Sequence, residues 1–265
     1  MVLELSLKEK SVLVTGGNRG IGLAIALAFA DEGANVAICG RDQAALATAK
    51  SAIEERGVKA HTIAADLFTA AGCEAAIKET ADTFGSFHVL VSNASTNIGG
   101  TLETLTDDQA IERVMGKTLA AMRLSRAALP HLRAAGGGRI ICIGGTAART
   151  PGKTSLPSGL GNSSLVNFVK HFSNDVGSES ITVNVVHPPF TKTDRYPARL
   201  EARAAQLGVS LAEAEASFAA DFPIGRIVEP ADIAPMVLFL ASPHAAAITG
   251  QAIAVDGGST QMVTY

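Results

Sequence analysis

The sequence predicts an α/β fold with a doubly wound, mainly parallel seven-stranded sheet and helices on both faces. Three observations lead there. Seven short β-rich apolar runs alternate with longer helical stretches. The runs are apolar throughout rather than alternating, as expected of strands buried on both faces. A glycine-rich turn joins the first run to the first helical stretch.

Taken in order, the first run is Ser11–Val14, and the helix after it stops at Gly33, a residue suited to a helix C-terminus. The next runs are Ala34–Ile38, His61–Ala64 and Val89–Val91. Thr106 and Gln109 have capping-box spacing, which opens a helix containing Ile111–Leu129. Arg139–Ile143 is the fifth run, followed by a helix over Ser158–Val176 and a sixth run, Thr182–Val186. Pro230 suits the first turn of a helix running to about Ala241, and Ala252–Val255 is the last run. One stretch, about 194–228, breaks the rhythm: it is rich in Ala, Glu and Arg, with a second capping-box spacing at Ser210 and Glu213. It directly follows the sixth run, at the sheet edge where such folds bind ligands, so it is expected to form a helical lid. A surface hairpin without function is the alternative.

The 265 residues suit one domain, 1–265, large enough to bury its own core. The net charge of -3 argues against a nucleic-acid partner. No stretch reaches the roughly 18 apolar residues of a membrane span. Met1–Lys10 carries Glu4 and Glu9 and lacks a secretion-signal core, so a soluble, cytoplasmic protein is expected. Cys39, Cys73 and Cys142 are far apart and read as buried apolar residues. No His, Cys, Asp or Glu cluster has metal-ligand spacing, so no metal is expected.

The strongest motif is Thr15-Gly16-Gly17-Asn18-Arg19-Gly20-Ile21-Gly22, between a strand and a helix. Gly16 permits the tight turn, Gly20 lets backbone approach a pyrophosphate, and Gly22 lets the helix pack closely on the sheet. The helix N-terminus offers free N–H groups to phosphate. This is a Rossmann dinucleotide loop. A carboxylate ending the second strand would favour NAD(H), but Gly40 stands there, followed by Arg41. Arg41 and Arg19 could clamp a 2′-phosphate, so NADP(H) is favoured over NAD(H).

These residues resemble the short-chain dehydrogenase/reductase (SDR) family, whose glycine loop reads T-G-x-x-x-G-x-G. Asp66 resembles the family's adenine contact. Asn93-Ala94-Ser95 is similar to its Asn-Ala-Gly motif. Asn184 to Thr193, with Pro188, Thr191 and Thr193, resembles its nicotinamide segment, except that Pro189 replaces glycine. Val255-Asp256-Gly257-Gly258 looks like its C-terminal signature. The resemblance spans Leu7 to Gly258 and implies oxidoreductase chemistry, a small-molecule substrate and a homo-oligomer, dimer or tetramer, paired through two long helices. The family's catalytic Asn, Ser, Tyr and Lys correspond here to Thr118, Gly145, Ser158 and Asn162. Neither tyrosine, Tyr196 or Tyr265, has lysine four residues later, so no shift of register restores the pair.

Ordinary carbonyl reduction is therefore expected to be weak or absent. His187, at a strand end, and Tyr196, on the lid, are substitute acid/base candidates. Gly116-Lys117-Thr118 looks like the end of a P-loop, but the partner glycine's place holds Ile111 inside a helix, so no phosphate role is assigned. Three functions remain open: an NADP(H)-dependent oxidoreductase with substitute groups, an SDR-fold enzyme of another reaction class, or a non-catalytic dinucleotide-binding partner subunit.

Overall fold

The computed structural model describes residues 4–96 and 98–262; Tyr265 lies outside them. The first half runs β1 (Ser11–Thr15), α1 (Gly20–Asp31), β2 (Asn35–Gly40), α2 (Gln43–Glu54), β3 (Ala60–Ala64), α3 (Ala70–Phe84) and β4 (Val89–Ser92). A long helix follows in three parts: α4 (Asp107–Val114), a π turn (Met115–Leu119) and α5 (Ala120–Ala134). The rest is β5 (Gly138–Ile143), α6 (Leu156–Val176), β6 (Ile181–His187), α7 (Tyr196–Leu207), α8 (Leu211–Ala219), α9 (Pro230–Ala241) and β7 (Ala252–Ala254).

The strands form one sheet in the order β3-β2-β1-β4-β5-β6-β7, and every pairing is parallel. Successive side chains on a strand face opposite ways. Val12 and Val14 join Ile25 and Phe29 of α1, Ile53 of α2 and Val237 of α9 in one layer. Leu13 joins Ile77 of α3, Leu124 of α5 and Leu165 of α6 in the other. Because both faces need apolar cover, the strands read as unbroken apolar runs. Strand order reverses between β1 and β4, and a crevice opens there at the C-terminal strand ends.

The expected caps are in place. Gly33 takes a left-handed backbone (φ 78°) just after α1, and both capping boxes form reciprocally. The helix expected to be continuous through Ile111–Leu129 differs. A π turn interrupts it, and α5 continues through Pro130 to Ala134. The continuation is explained by Leu132, fully buried against the sheet, which holds the last turn in register despite the missing proline N–H. The three cysteines are free and buried, and burial pushes their thiols up to about 12, 11 and 12 for Cys39, Cys73 and Cys142. They are inert at neutral pH. Among the described residues, no helix is long and apolar enough to cross a membrane.

Candidate active site

The crevice is a cleft of about 380 Å³, and the glycine loop forms one wall. Gly16 turns with φ 66°, its N–H donating to the Cys39 carbonyl at 2.8 Å. Arg19, the N-cap of α1, makes no side-chain cap, so the first N–H groups of α1 remain open to a ligand. Asn93 ties β4 to this loop, its Nδ2 donating to the Thr15 carbonyl at 2.9 Å. Thr15 Oγ1 accepts from the backbone N–H groups of Asn93 and Ala94 at 2.8 and 3.0 Å. A Cβ on Gly22 would stand 2.2 Å from the Gly16 carbonyl oxygen, so α1 can reach the loop only with glycine there.

Asn18, Arg19, Gly20, Ile21, Gly22 and Arg41 all line the cleft, as do Asp66, Asn93 and Thr193. Gly40 leaves room for Asn18, whose Oδ1 would be 3.1 Å from a Cβ there. Sequence reasoning overlooked Asp42, which also borders the cleft; its carboxylate accepts from the Ala45 N–H and caps α2. Pro188 and Thr191 are not among the lining residues. The Pro188 carbonyl accepts from the Thr146 N–H, and the Thr191 hydroxyl donates to the Pro189 carbonyl. Together they shape the turn that brings Thr193 to the cleft.

Thr118, Gly145, Ser158 and Asn162 gather where α4, β5 and α6 meet. Thr118 points away into the helix interface, its hydroxyl 2.7 Å from Ser164 Oγ and donating to the Gly161 carbonyl at 3.1 Å. Asn162 is buried with no partner for Oδ1, and its Nδ2 would lie 2.8 Å from a Cβ on Gly145. Ser158 Oγ lies 3.5 Å from Arg113 Nη2.

His187 fills space that glycine leaves open. A Cβ on Gly144 would stand 2.5 Å from His187 Nδ1, which instead accepts from the Gly145 N–H at 2.8 Å. The ring is therefore neutral with its proton on Nε2, which is buried and unpartnered. Burial first, then the charges of Arg149 and Lys117, lowers its pKa to about 4. In this arrangement the basic nitrogen of His187 is engaged by the Gly145 N–H. Because its pKa is depressed on folding, the unfolded chain takes up this proton first as pH falls from 6.5 toward 4. Lowering the pH from 7 to 4.5 should therefore destabilise the native protein by about 2–3 kcal/mol more than a His187→Gln variant. Urea unfolding at both pH values checks this, and equal pH dependence in the two proteins contradicts it.

Two buried cations were missed as site residues, and one of them, Arg113, stands beside Ser158. Arg113 is 7% exposed; its Nη1 donates to Ser95 Oγ at 2.6 Å and to the Thr96 carbonyl, while its Nε has no partner. Lys117, in the π turn, is 6% exposed. Burial first, then the neighbouring Arg113, pushes its pKa down to about 7. Ser95 and Thr96, which Arg113 holds, and Gly116, the residue before Lys117, line the cleft, while neither cation is itself among the lining residues.

The stretch expected as a lid carries α7 and α8. Phe190 stacks on Phe218 at 4.8 Å, with Tyr196 tilted against both, and Lys192, Arg199 and Arg203 sit over the three rings. Tyr196 is thus part of the internal packing of this segment. Burial, and next Glu215, raises its pKa. Thr193, Asp194 and Arg195, at the segment's root, line the cleft.

The switch-point crevice and the uncapped end of α1 define an α/β protein of the Rossmann class with a cleft shaped for a dinucleotide. Residues 16–260 match the family profile described as Enoyl-(Acyl carrier protein) reductase, and the chain belongs to the short-chain dehydrogenase/reductase family. It is 32% identical to the oxidoreductase YhxC of Bacillus subtilis over 96% of this chain and 85% of that one. It is 33% identical to the short-chain reductase NovJ of Streptomyces niveus over 96% of this chain and 96% of that one. Among solved structures, L-sorbose reductase from Gluconobacter frateurii, complexed with NADPH and L-sorbose, superposes with a TM-score of 0.94 at 29% identity. That match covers 98% of this chain and 100% of the reductase.

Proposed function

We propose that the chain is an NADP(H)-dependent oxidoreductase that does not use the family's tyrosine–lysine pair for proton transfer. The observation that carries the cofactor assignment is the placement of Arg19 and Arg41 on the cleft, with Gly40 where a ribose-binding carboxylate would stand. The cofactor fits: the N–H groups of α1 are open toward the cleft, and Gly22 permits close approach. When bound, a nicotinamide dinucleotide donates or accepts the hydride. This chain's residues hold and orient it: Arg19 and Arg41 the 2′-phosphate, Asp66 the adenine end, Thr193 the far end of the cleft. The stretch 194–228 acts as the lid, anchored through the Thr191–Val228 bridge at its base.

The test is calorimetric titration with NADPH and NADH. Two charge-assisted hydrogen bonds, about 1.5–3 kcal/mol each, should make NADPH bind at least about tenfold more tightly. Equal affinities, or binding of neither, refutes the assignment.

The working protein is proposed to be a soluble, cytoplasmic dimer or tetramer with two-fold symmetry. The surface for pairing is the face of α4, α5 and α6. Ile111 and Leu160 are exposed there, and Phe168 stacks on Phe172 at 5.4 Å. Light scattering at micromolar concentration should give at least twice the chain mass; a monomer rules this out.

A further inference from the structure

We propose that Arg113 and Lys117 form a binding site for an anionic oxygen group, a carboxylate or a phosphate, carried by the substrate at the edge of the cleft. The proposal rests on the cleft being the active site and specifies the class of substrate it takes. Arg113 and Lys117 are four residues apart, where helical side chains are neighbours. Both are more than nine-tenths buried, a state lysine and arginine almost never reach without a partner. Among the described residues, no carboxylate pairs with either. Arg113 is bonded only to neutral oxygens, of Ser95, Thr96 and Ser158, and keeps a buried, unpartnered Nε. The titratable groups whose charge acts on Lys117 or is acted on by it are Arg113 of α4, Cys142 of β5 and His187 of β6, and Arg149 also acts on His187. None is an acid. Two like charges thus stand together in a poorly solvated place, each making the other less favourable. An anion between them turns that repulsion into attraction.

The surroundings also suit an anion. Ser95 and Thr96, both bonded by Arg113, and Gly116, next to Lys117, are cleft walls. The hydroxyls of Ser95 and Ser158 add donors. Asn162 Oδ1 and His187 Nε2 are further buried polar atoms without partners nearby, so the pocket's polar capacity exceeds what the protein itself satisfies. A purely structural role accounts for Arg113, which fastens the loop after β4 to α4. It does not account for a buried lysine that fastens nothing. The substrate inferred is a carbonyl compound, or its alcohol, with an acid group close to the reacting carbon.

The test uses the full chain with three probes: 2-oxobutanoate, its methyl ester and inorganic phosphate. Binding is read by calorimetry, and the Lys117 amine is followed by NMR in protein labelled on lysine side chains, with Lys117→Met giving the assignment. One of the two anions should bind at least about tenfold more tightly than the neutral ester. The tighter anion distinguishes a carboxylic acid substrate from a phosphate ester. Lys117→Met should lose about tenfold or more of that affinity, and Lys117→Arg should retain most of it. The Lys117 pKa should rise when the anion saturates the site, because nearby negative charge favours the ammonium form. Binding of neither anion more tightly than the ester, unchanged affinity for the tighter anion in Lys117→Met, or an unmoved pKa overturns the proposal. NADPH binding is titrated separately. Its failure removes the cofactor assignment and leaves the anion result standing, so the two are told apart.

Discussion

Replacing Gly22 with alanine should lower dinucleotide affinity by about 100-fold or more, equivalent to about 2.8 kcal/mol. The added Cβ would meet the Gly16 carbonyl oxygen at 2.2 Å, Asn93 Nδ2 at 2.5 Å and the Gly16 carbonyl carbon at 2.8 Å. Two of the three are backbone atoms, which cannot swing aside. Either α1 moves off the sheet or the loop turns outward, and each takes the open N–H groups away from the phosphate position. Overpacking of this kind should also lower stability by about 1–3 kcal/mol. Gly85→Ala is the control: it lies off the cleft with nothing within 4 Å, so it carries the strain of φ 73° without a collision. Calorimetry with NADPH and thermal unfolding of both variants decide the matter. Native affinity in Gly22→Ala would mean the loop does not hold the dinucleotide.

The second large effect concerns proton transfer. The native chain should reduce simple neutral ketones with NADPH very poorly, and Gly145→Ser, Ser158→Tyr and Asn162→Lys together should raise kcat/KM by about 10²–10⁴-fold. Ser158 has too short a side chain and too high a pKa to replace a tyrosine, and Asn162 brings no charge to lower it. The structure adds a condition. A serine Cβ at 145 would stand 2.8 Å from Asn162 Nδ2, and a tyrosine at 158 must displace the guanidinium of Arg113 at 3.5 Å. The single variants should therefore gain little, since groups that act as a unit do not contribute separately. Assays over a panel of neutral ketones and aldehydes check this. Rapid turnover by the native chain would show that another residue already supplies the proton.

The fold was largely legible because its strongest signals are local or periodic. Val12, Leu13 and Val14 face alternate layers, and only a doubly covered sheet needs all three apolar. The Thr106 and Ser210 caps depend on partners three residues away, within reach of a sequence pattern. The glycine loop was legible for the same reason. What escaped notice depends on contacts between distant segments. Lys117 reads as the end of an incomplete P-loop, and its burial in the π turn leaves no mark in the residue order. The burial of Arg113 likewise depends on Ser95 and Thr96, which belong to a distant segment of the chain. The partnership of Gly145 with Asn162 spans two elements and shows only as the space one leaves for the other.

The pairing of Gly144 with His187 bears on how such a site can change over generations. Any side chain at 144 collides with an imidazole 2.5 Å from its Cβ. Any change at His187 that loses the ring acceptor strands the Gly145 N–H it now receives. Either change alone should cost stability, one through a clash and the other through an unpaired N–H. Divergence at the two positions should therefore be correlated: relatives with a side chain at 144 should lack the imidazole at 187.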